Sequence, residues 1–374
     1  MEGCGYFTHG MSYFVNFAQE LYEYSDGKID LLCGDWDCFE KGTSDKRGKI
    51  AAFQSKCFFP DGRVVNFSDG NSRDKFSVGL NLALRKHYPG IRIPNMKCAA
   101  DLLHDRCYRF VFRKLDLFEP EEYLKRTTQE EVHAEQGVAH CHILPDAQWC
   151  IAGSCNGVGM ACKGGHNGEA HNHNDVGHFI FGGKGLVVFT DLGAGKYTRD
   201  YFGEKRYEIL CNNSFGHSVP IVAGKGQKPG RSHSCGSFEA VRSEDSVSVT
   251  MDLTGAYGEN NRGSILRKLE FSLTNGDLKI TDKFSALEQR ETTVTENLIT
   301  QMKPVLESDR ILLTDGNISA ALVIQGKDHI QDVYVRVYTH SNHRGQPETV
   351  YAIGWDVCME GQIGESICYI TILE

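Results

Sequence analysis

The chain lacks the long apolar runs that membrane proteins need. No segment of its 374 residues approaches the roughly 18 to 20 apolar residues of a membrane-spanning helix. Residues 1–20 also lack the basic stretch, apolar stretch and cleavage site of a secretion signal. The sequence as given therefore predicts a cytoplasmic protein that is not anchored in a membrane.

Basic residues are also fewer than acidic residues. The chain has 40 Lys and Arg residues against 49 Asp and Glu residues, for a net charge of -9. This balance argues against nonspecific binding to nucleic acid or to an anionic membrane surface. An acidic polymer would need a locally basic cleft to bind here.

Paired cysteine motifs are absent, although cysteine itself is not. None of the 14 cysteines belongs to a CxxC arrangement, which would suggest a zinc ribbon or a redox pair. We interpret them as mostly reduced thiols, in keeping with a cytoplasmic protein.

The amino-terminal third has the spacing of helices. Apolar residues recur at intervals of three and four over residues 11–24 and 76–88, and a third helix is predicted over 96–117. Residues 58–68 are expected to form an irregular or hairpin segment. The charged stretch 118–136 is interpreted as a linker.

The pattern changes after residue 140, where short β-branched and aromatic runs alternate with Gly, Asn and Asp turns. Strands are predicted over 147–151, 179–181, 186–190, 247–253, 269–273, 278–284, 311–314, 320–324, 333–338 and 366–373. Many short strands with frequent turns favour a large antiparallel β-sandwich. The predicted organisation is a helical domain over 1–125 and a sandwich over 126–374.

The stretch His171-Asn172-His173-Asn174-Asp175 concentrates the candidate chemistry. If it is extended, His171 and His173 point to the same face. A three-residue turn with Gly185 left-handed would then place Asp191 opposite Gly177, on the face that carries both histidines. A turn of another length would reverse that face.

Two histidines and one carboxylate, completed by a water, form an ordinary zinc arrangement. His217 is a further candidate ligand, whereas Asp175 is expected to orient an imidazole and His178 to pack in the core. HxH pairs are also common in strands that bind nothing. Tyr, Arg and Lys side chains in residues 196–207 suit either a solvated loop or a site for an acidic sugar.

Five motifs stand out along the chain: HNHNDVGHF at 171–179, VVFTDLGAGKY at 187–197, SFGHS at 214–218, EGCGYFTHGMSYF at 2–14 and RKLEFSLTNGDLKITDKF at 267–284. Together they resemble the heparinase II/III-like polysaccharide lyases, which have an incomplete α/α toroid followed by an antiparallel β-sandwich. The resemblance implies an α+β protein in which helices of a truncated toroid precede the sandwich.

The resemblance also implies residue roles. His173, Asp191 and His217 would bind a largely structural zinc ion. His171 and Tyr6 would be catalytic, and Tyr201 or Tyr207 would supply a second phenol. His9, Asn172, Arg199 and Arg206 are predicted to bind substrate.

The implied reaction is β-elimination on a glycan that contains uronic acid. A base removes the proton at C5 and an acid protonates the leaving oxygen at C4. Donors that neutralise the substrate carboxylate acidify C5.

Three features depart from the family pattern. The Asn or His that meets the substrate carboxylate lies upstream of the Tyr6 motif, and this sequence begins one residue before that motif. We therefore expect either the carboxyl-terminal part of a longer protein or a chain that has lost its substrate cleft. His9 stands where a second Tyr is frequent, and Ser218 where Asn is common.

Two other functions fit the same residues. One is a non-catalytic carbohydrate-binding or structural sandwich that keeps a metal for stability. The other is a cupin-like metal enzyme, which the lack of a Glu shortly after His173 argues against. The sequence also leaves a homodimer open.

Overall fold

The computed structural model describes residues 3–33, 43–91, 93, 114–117, 121–122, 137–258, 263–286, 293–316, 318–325, 333–360 and 362–373. The predicted domain boundary, most of the predicted linker and most of the predicted helix over 96–117 lie outside these residues. None of the helices in this part of the chain is long and apolar enough to span a bilayer. The cysteines among these residues form no disulfide.

The described helical region contains α1 (Cys4–Tyr24), α2 (Thr43–Ala51), α3 (Phe53–Lys56) and α4 (Val78–His87). The predicted helix over 11–24 therefore starts earlier, and the one over 76–88 is confirmed within two residues. Residues 58–68 are irregular, with a single bridge between Phe58 and Val64.

Helix α1 leaves exposed several of the apolar residues whose spacing predicts it. Tyr13 and Phe17 are 45% and 60% exposed, whereas the smaller Val15 and Ala18 are buried. The two small side chains share a core cluster with Leu80, Ala83 and Leu84 of α4. Small residues let the two helices approach closely, so packing against α4 outweighs the burial of the aromatic side chains.

Strands dominate the chain from residue 140 onward. They are β1 (His140–Leu144), β2 (Trp149–Gly153), β3 (Val158–Lys163), β4 (His166–Asn167), β5 (Phe179–Gly183), β6 (Leu186–Phe189), β7 (Ile221–Val222), β8 (Gly230–Ser234), β9 (Phe238–Arg242), β10 (Ser246–Asp252), β11 (Gly263–Ser272), β12 (Leu278–Ala286), β13 (Val294–Thr300), β14 (Pro304–Leu306), β15 (Ile311–Asp315), β16 (Ile318–Ile324), β17 (Val333–Ser341), β18 (Pro347–Asp356), β19 (Met359–Glu360) and β20 (Ile363–Leu373). A short helix, α5 (Thr254–Tyr257), lies between β10 and β11.

The strands form antiparallel sheets. Within the described residues, one sheet has the order β1-β2-β3-β5-β6, a second β14-β15-β16-β20-β12-β11-β10-β9 with β19 on β20, and a third β17-β18-β13-β7. The strands β4 and β8 pair separately. The predicted fold class, helices followed by a large antiparallel β-sandwich, is confirmed.

The first sheet is covered on both faces. One face joins the main sandwich core, which contains Cys150, Val158 and Phe179. The other packs through Trp149 and Ile151 against the helical region. Every residue of β2, β3 and β5 is buried for this reason, and these strands do not alternate between apolar and polar residues as β10 does.

Two local predictions around the histidine motif are wrong. Residues 171–175 are not a strand, and His171 has a left-handed φ of 54°. The β5–β6 hairpin has a two-residue turn in which Lys184 and Gly185 both have positive φ, and Gly183 pairs with Leu186. Asp191 therefore reaches the histidines through the loop after β6 and not through strand register.

Candidate functional site

Asp69, in the loop between α3 and α4, is at the centre of the candidate active site. Its Oδ1 accepts a hydrogen bond from His173 Nε2 at 3.0 Å and another from the hydroxyl of Tyr201. Its Oδ2 lies 2.9 Å from His171 Nδ1 and accepts the hydroxyl of Tyr197 at 3.3 Å. One carboxylate thus orients two imidazoles and two phenols.

The surroundings of Asp69 keep it ionised. Burial favours the neutral acid, but the hydrogen bond and charge of His173, with hydrogen bonds from Tyr201 and His171, lower the pKa of Asp69 to about 2. Arg206 adds positive charge 3.6 Å away. Because an ionised carboxylate only accepts hydrogen bonds, the facing nitrogens of both histidines carry the protons. Nε2 of His171 and Nδ1 of His173 are left with lone pairs.

Tyr6 of α1 meets His171 beside a cleft of about 640 Å³ that Tyr6 helps to line. Their rings stack with centroids 4.4 Å apart, and the Tyr6 hydroxyl lies 3.2 Å from His171 Nδ1. The same hydroxyl is 2.9 Å from that of Tyr197. The His171 side chain is 28% exposed. The structure thus brings together the two predicted catalytic residues from distant parts of the chain.

The backbone at His171 is held in an unusual conformation by its neighbours. A positive φ at a non-glycine residue costs free energy and persists where surrounding contacts enforce it. The carbonyl of His171 accepts the N–H of Asp69 at 3.4 Å, and its ring contacts both Asp69 and Tyr6. These contacts fix the imidazole against the loop that carries Asp69.

A buried cluster of His173, Asp175, Asp191 and His217 lies behind this pair. One ligand atom of each lies within 4.8 Å of the others. His173 Nδ1 is 3.2 Å from His217 Nε2, which in turn is 3.8 Å from Asp191 Oδ2 and 3.9 Å from Asp175 Oδ2. Two imidazoles and two carboxylates at these separations can converge on one divalent ion. The structure thus adds Asp175 to the three residues predicted to bind metal.

The hydrogen bonds around this cluster fit a cation. His217 Nδ1 contacts a backbone carbonyl at 2.8 Å and His173 Nε2 contacts Asp69, so the lone pairs of their other nitrogens face each other. Within the described part of the chain, Oδ2 of Asp175 and Oδ2 of Asp191 have no hydrogen-bond partner. Buried lone pairs without a donor are costly, and one cation would satisfy all four. A carboxylate behind a ligating imidazole is also usual at metal sites.

The electrostatics of the cluster favour positive charge. Burial opposes ionisation of Asp191, but the neighbouring His217 holds the pKa of Asp191 below its usual range. Burial disfavours charged His217, but Asp191 and Asp175 raise its pKa. Burial and the charge of His217 lower the pKa of His178 to about 3, so His178 stays neutral. Lys163 Nζ pairs with Asp175 Oδ1 at 2.8 Å, and both groups are buried.

Close packing between the 66–70 loop and the 191–193 loop places Asp69 beside this cluster. Asn66 Nδ2 donates to the carbonyl of Asp191 at 3.0 Å. Gly193 has a φ of 63°, and a Cβ there would lie 2.2 Å from the carbonyl oxygen of Gly70. A larger residue at Gly193 would push the two loops apart, and with them Asp69 and Asp191.

Several predicted site residues brace the loop over 197–207. Arg206 donates to the carbonyls of Tyr201 at 3.0 Å and Asn172 at 2.8 Å, and its guanidinium lies 4.7 Å from the centre of the Tyr201 ring. The Tyr207 hydroxyl donates to Asn172 Oδ1 at 3.0 Å. Tyr201 is fully buried, and burial raises its pKa. These side chains hold Asp69 and the histidine motif and do not line the cleft.

The two remaining predicted substrate-binding residues lie apart. His9 lines the cleft beside Tyr6, and its ring is 5.0 Å from that of Tyr13. Arg199 is exposed just before a 3-10 turn, Asp200–Phe202, and is not among the residues that line the cleft.

The sequence did not identify the hairpin turn between β17 and β18 as part of the candidate site. His343 and Arg344 line the cleft, and the His343 ring meets that of Tyr197 edge-on with centroids 4.5 Å apart. Asn342 Oδ1 accepts the backbone N–H of Arg344 at 3.0 Å, and its Nδ2 donates to Glu348 at 2.6 Å. The turn is thereby fixed against the loop that carries Tyr197.

Asp69 and Tyr197 were also missed as site residues. The dipeptide Asp69-Gly70 reads as an ordinary turn, and the left-handed φ of 61° at Ser68 is visible only in the structure. Tyr197 belonged to the noted aromatic and basic loop, but nothing in its spacing separated it from Tyr201 or Tyr207.

Comparison with known proteins agrees with this fold. The family described as heparinase II/III-like, C-terminal, matches residues 144–354, more than half of the chain. The chain belongs to this family, and the resemblance noted in the sequence is confirmed. No curated protein sequence matches.

Solved structures extend the likeness to the helical region. Heparan sulfate lyase HepC from Pedobacter heparinus is similar with a TM-score of 0.66 and 11% identity, over 100% of this chain and 52% of that one. The heparinase III described as the BT4657 gene product has a TM-score of 0.64 and 14% identity, over 98% and 51%. Another heparinase III has a TM-score of 0.60 and 12% identity, over 98% and 53%. The chain thus spans about half the length of these structures and shares their fold.

Proposed function

We propose that the site belongs to a polysaccharide lyase that cleaves glycans containing uronic acid by β-elimination. The observation that carries the proposal is the stacked Tyr6–His171 pair, held by the buried Asp69 beside a cleft. Membership of the heparinase II/III-like family supports the same reaction class. The solved relatives named as heparan sulfate lyase and heparinase III favour an acidic glycosaminoglycan as the substrate.

We infer a base and an acid from this geometry. The carboxylate of Asp69 holds the proton on His171 Nδ1, so His171 Nε2 is free to remove the proton from C5 of the uronate. The electron pair of the broken C5–H bond forms a C4–C5 double bond as the C4–O bond breaks. The Tyr6 hydroxyl protonates the leaving oxygen, which becomes the hydroxyl of the other fragment.

A chain of phenols supports the acid. The Tyr6 hydroxyl lies 2.9 Å from that of Tyr197, which donates to Asp69 at 3.3 Å. Burial and the contact with Tyr6 raise the pKa of Tyr197, so Tyr197 keeps its proton. A free phenol has a pKa near about 10, so Tyr6 starts in the protonated form that an acid needs.

Incubation of the full chain with heparan sulfate and with alginate tests the proposal. The double bond conjugated to the carboxylate absorbs ultraviolet light, so turnover appears as rising absorbance. Binding of these glycans with no rise in absorbance would favour the non-catalytic carbohydrate-binding module.

The turn between β17 and β18 supplies a cation, Arg344, and the imidazole of His343 for the substrate carboxylate. His343 and Arg344 lie on the cleft wall next to Tyr197, one ring away from Tyr6. Neutralising the carboxylate withdraws charge from C5 and lowers the barrier to proton removal.

Arg344→Ala is expected to raise KM for uronate oligosaccharides by roughly 10- to 100-fold, the effect of losing one hydrogen bond to a charged group. Arg336→Ala is the matched control, because Arg336 is on β17 and stacks over Tyr334, outside the cleft lining. Steady-state kinetics at several salt concentrations measure the effect. Equal KM values for the two variants would remove Arg344 from the proposal.

We further propose that His173, Asp191 and His217, joined by Asp175, bind a zinc ion with a structural role. When bound, the ion supplies a fixed positive charge that satisfies the buried lone pairs of these side chains. The protein's own part is to hold His173 against Asp69, which also orients His171. The metal and catalytic groups are thus linked through one carboxylate.

His173→Ala is expected to remove one equivalent of bound zinc and to lower the melting temperature. The loss of affinity should exceed the roughly 10- to 100-fold cost of losing an outer-shell partner. His233→Ala serves as the control, since His233 lies outside the His173 cluster and its Nδ1 contacts the backbone carbonyl of Pro229 at 2.8 Å. Elemental analysis and thermal denaturation give the result, and unchanged zinc in His173→Ala would contradict the assignment.

A further inference from the structure

A second group of metal-binding side chains lies in the helical region. Cys33 Sγ is 3.2 Å from His87 Nδ1, and one ligand atom from each of Asp30, Cys33 and His87 lies within 4.8 Å of the other two. None of the three residues lines the cleft or belongs to the His173 cluster. Thiolate, imidazole and carboxylate are the three side-chain groups that zinc binds in proteins.

The distances suit a shared ion. Zinc lies about 2.3 Å from a thiolate and about 2.0 to 2.1 Å from an imidazole nitrogen, which places tetrahedral ligands roughly 3.5 Å apart. The separation between Cys33 Sγ and His87 Nδ1 is 3.2 Å and would have to increase by only a few tenths of an ångström to reach this value.

Hydrogen bonds to the backbone keep the segments that carry these side chains close together. Asp30 Oδ1 accepts the N–H groups of Leu32 and Cys33, each at 2.8 Å, which fixes the turn that carries the thiol. The hydroxyl of Tyr88 donates to the carbonyl of Leu32 at 2.6 Å. Because Tyr88 directly follows His87 at the end of α4, this bond ties the turn to the helix end that carries the imidazole.

A metal ion that binds here would displace the thiol proton of Cys33. Cys33 is exposed, so an ion can enter from solvent.

We propose that Asp30, Cys33 and His87 bind a divalent cation of the zinc class, with water completing the coordination. The ion would join the turn after α1 to the carboxyl end of α4. This site is independent of the lyase function, because it shares no residue with the cleft or with the His173 cluster.

Cobalt substitution tests the site directly. Co²⁺ bound to a thiolate gives a sulfur-to-cobalt charge-transfer band, and the His173 cluster offers no sulfur ligand. The full chain titrated with Co²⁺ should show this band. Cys33→Ser should abolish it and bind one equivalent of cobalt fewer, whereas His173→Ala should keep the band.

Two further variants control for effects on the band that do not come from metal binding at this site. Cys155→Ser replaces another exposed cysteine and should leave the band unchanged. His87→Ala repeats the test if Cys33→Ser folds poorly by circular dichroism. No charge-transfer band in the wild type, or a band that survives in Cys33→Ser or His87→Ala, would overturn the proposal and leave a plain hydrogen bond between Cys33 and His87.

Discussion

Tyr6→Phe is expected to lower kcat for β-elimination by roughly 10²- to 10⁴-fold, the usual contribution of a positioned general acid. The variant removes only the hydroxyl that contacts His171 and Tyr197 and keeps the ring that stacks on the imidazole. KM should change little, because the carboxylate is recognised elsewhere in the cleft. The initial rate of ultraviolet absorbance gives both constants.

Tyr13→Phe is the matched control for this prediction. Tyr13 lies on the same helix, is 45% exposed and does not line the cleft. It should behave like the wild type. A Tyr6→Phe variant with wild-type kcat would show that the Tyr6 phenol donates no proton, and would leave the base assigned to His171 without its partner.

Asp69→Asn is expected to damage catalysis and metal binding together. An amide cannot accept hydrogen bonds from His171, His173 and the phenols of Tyr197 and Tyr201 at the same time, so His171 loses its fixed tautomer. The loss in kcat should be on the order of 10⁴-fold, as when a carboxylate that orients a catalytic histidine becomes an amide. Zinc affinity should fall by roughly 10- to 100-fold, because the partner of a ligating imidazole is lost.

Measuring kcat and zinc affinity together distinguishes the loss of the contacts of Asp69 with both histidines from misfolding of the protein. Asp61→Asn is the control, since Asp61 belongs to the same loop but pairs with Arg63 away from the site. Kinetics at saturating zinc should not restore activity to Asp69→Asn, since His171 remains misoriented. Full rescue by zinc would mean that Asp69 acts only through the metal ligand.

The site is therefore shared between the two parts of the chain. The helical region contributes Tyr6 and Asp69, and the sandwich contributes His171 and the His173 cluster. Neither part contains the whole proposed site, because the proposed acid, Tyr6, and the carboxylate that orients both imidazoles come from outside the sandwich. We expect the packing of the 66–70 loop on the 191–193 loop to limit activity as strongly as the catalytic groups do.

The sequence predicted those features that local patterns control. Strand β10 alternates strictly because one face is buried, so it was recognisable. The histidine motif and Asp191 were found through their spacing, although the argument from strand register was wrong. Strand β3 was missed because it is buried on both faces and does not alternate.

Other features depend on contacts between distant segments. Asp69 is an unremarkable turn residue until packing brings it beside His171 and His173. The exposed aromatic face of α1 contradicts its periodicity, because proximity to α4 selects small side chains. His343 and Arg344 enter the cleft only because β17 and β18 end next to Tyr197.

Mass spectrometry of the products is the most direct test of the central claim, that this cleft performs β-elimination. The full chain, incubated with heparan sulfate and with alginate, should release oligosaccharides whose non-reducing ends are lighter by one water than the products of hydrolysis. The His171→Ala variant should release none. Fragments of hydrolytic mass, or intact glycans that bind the chain without being cleaved, would contradict the account.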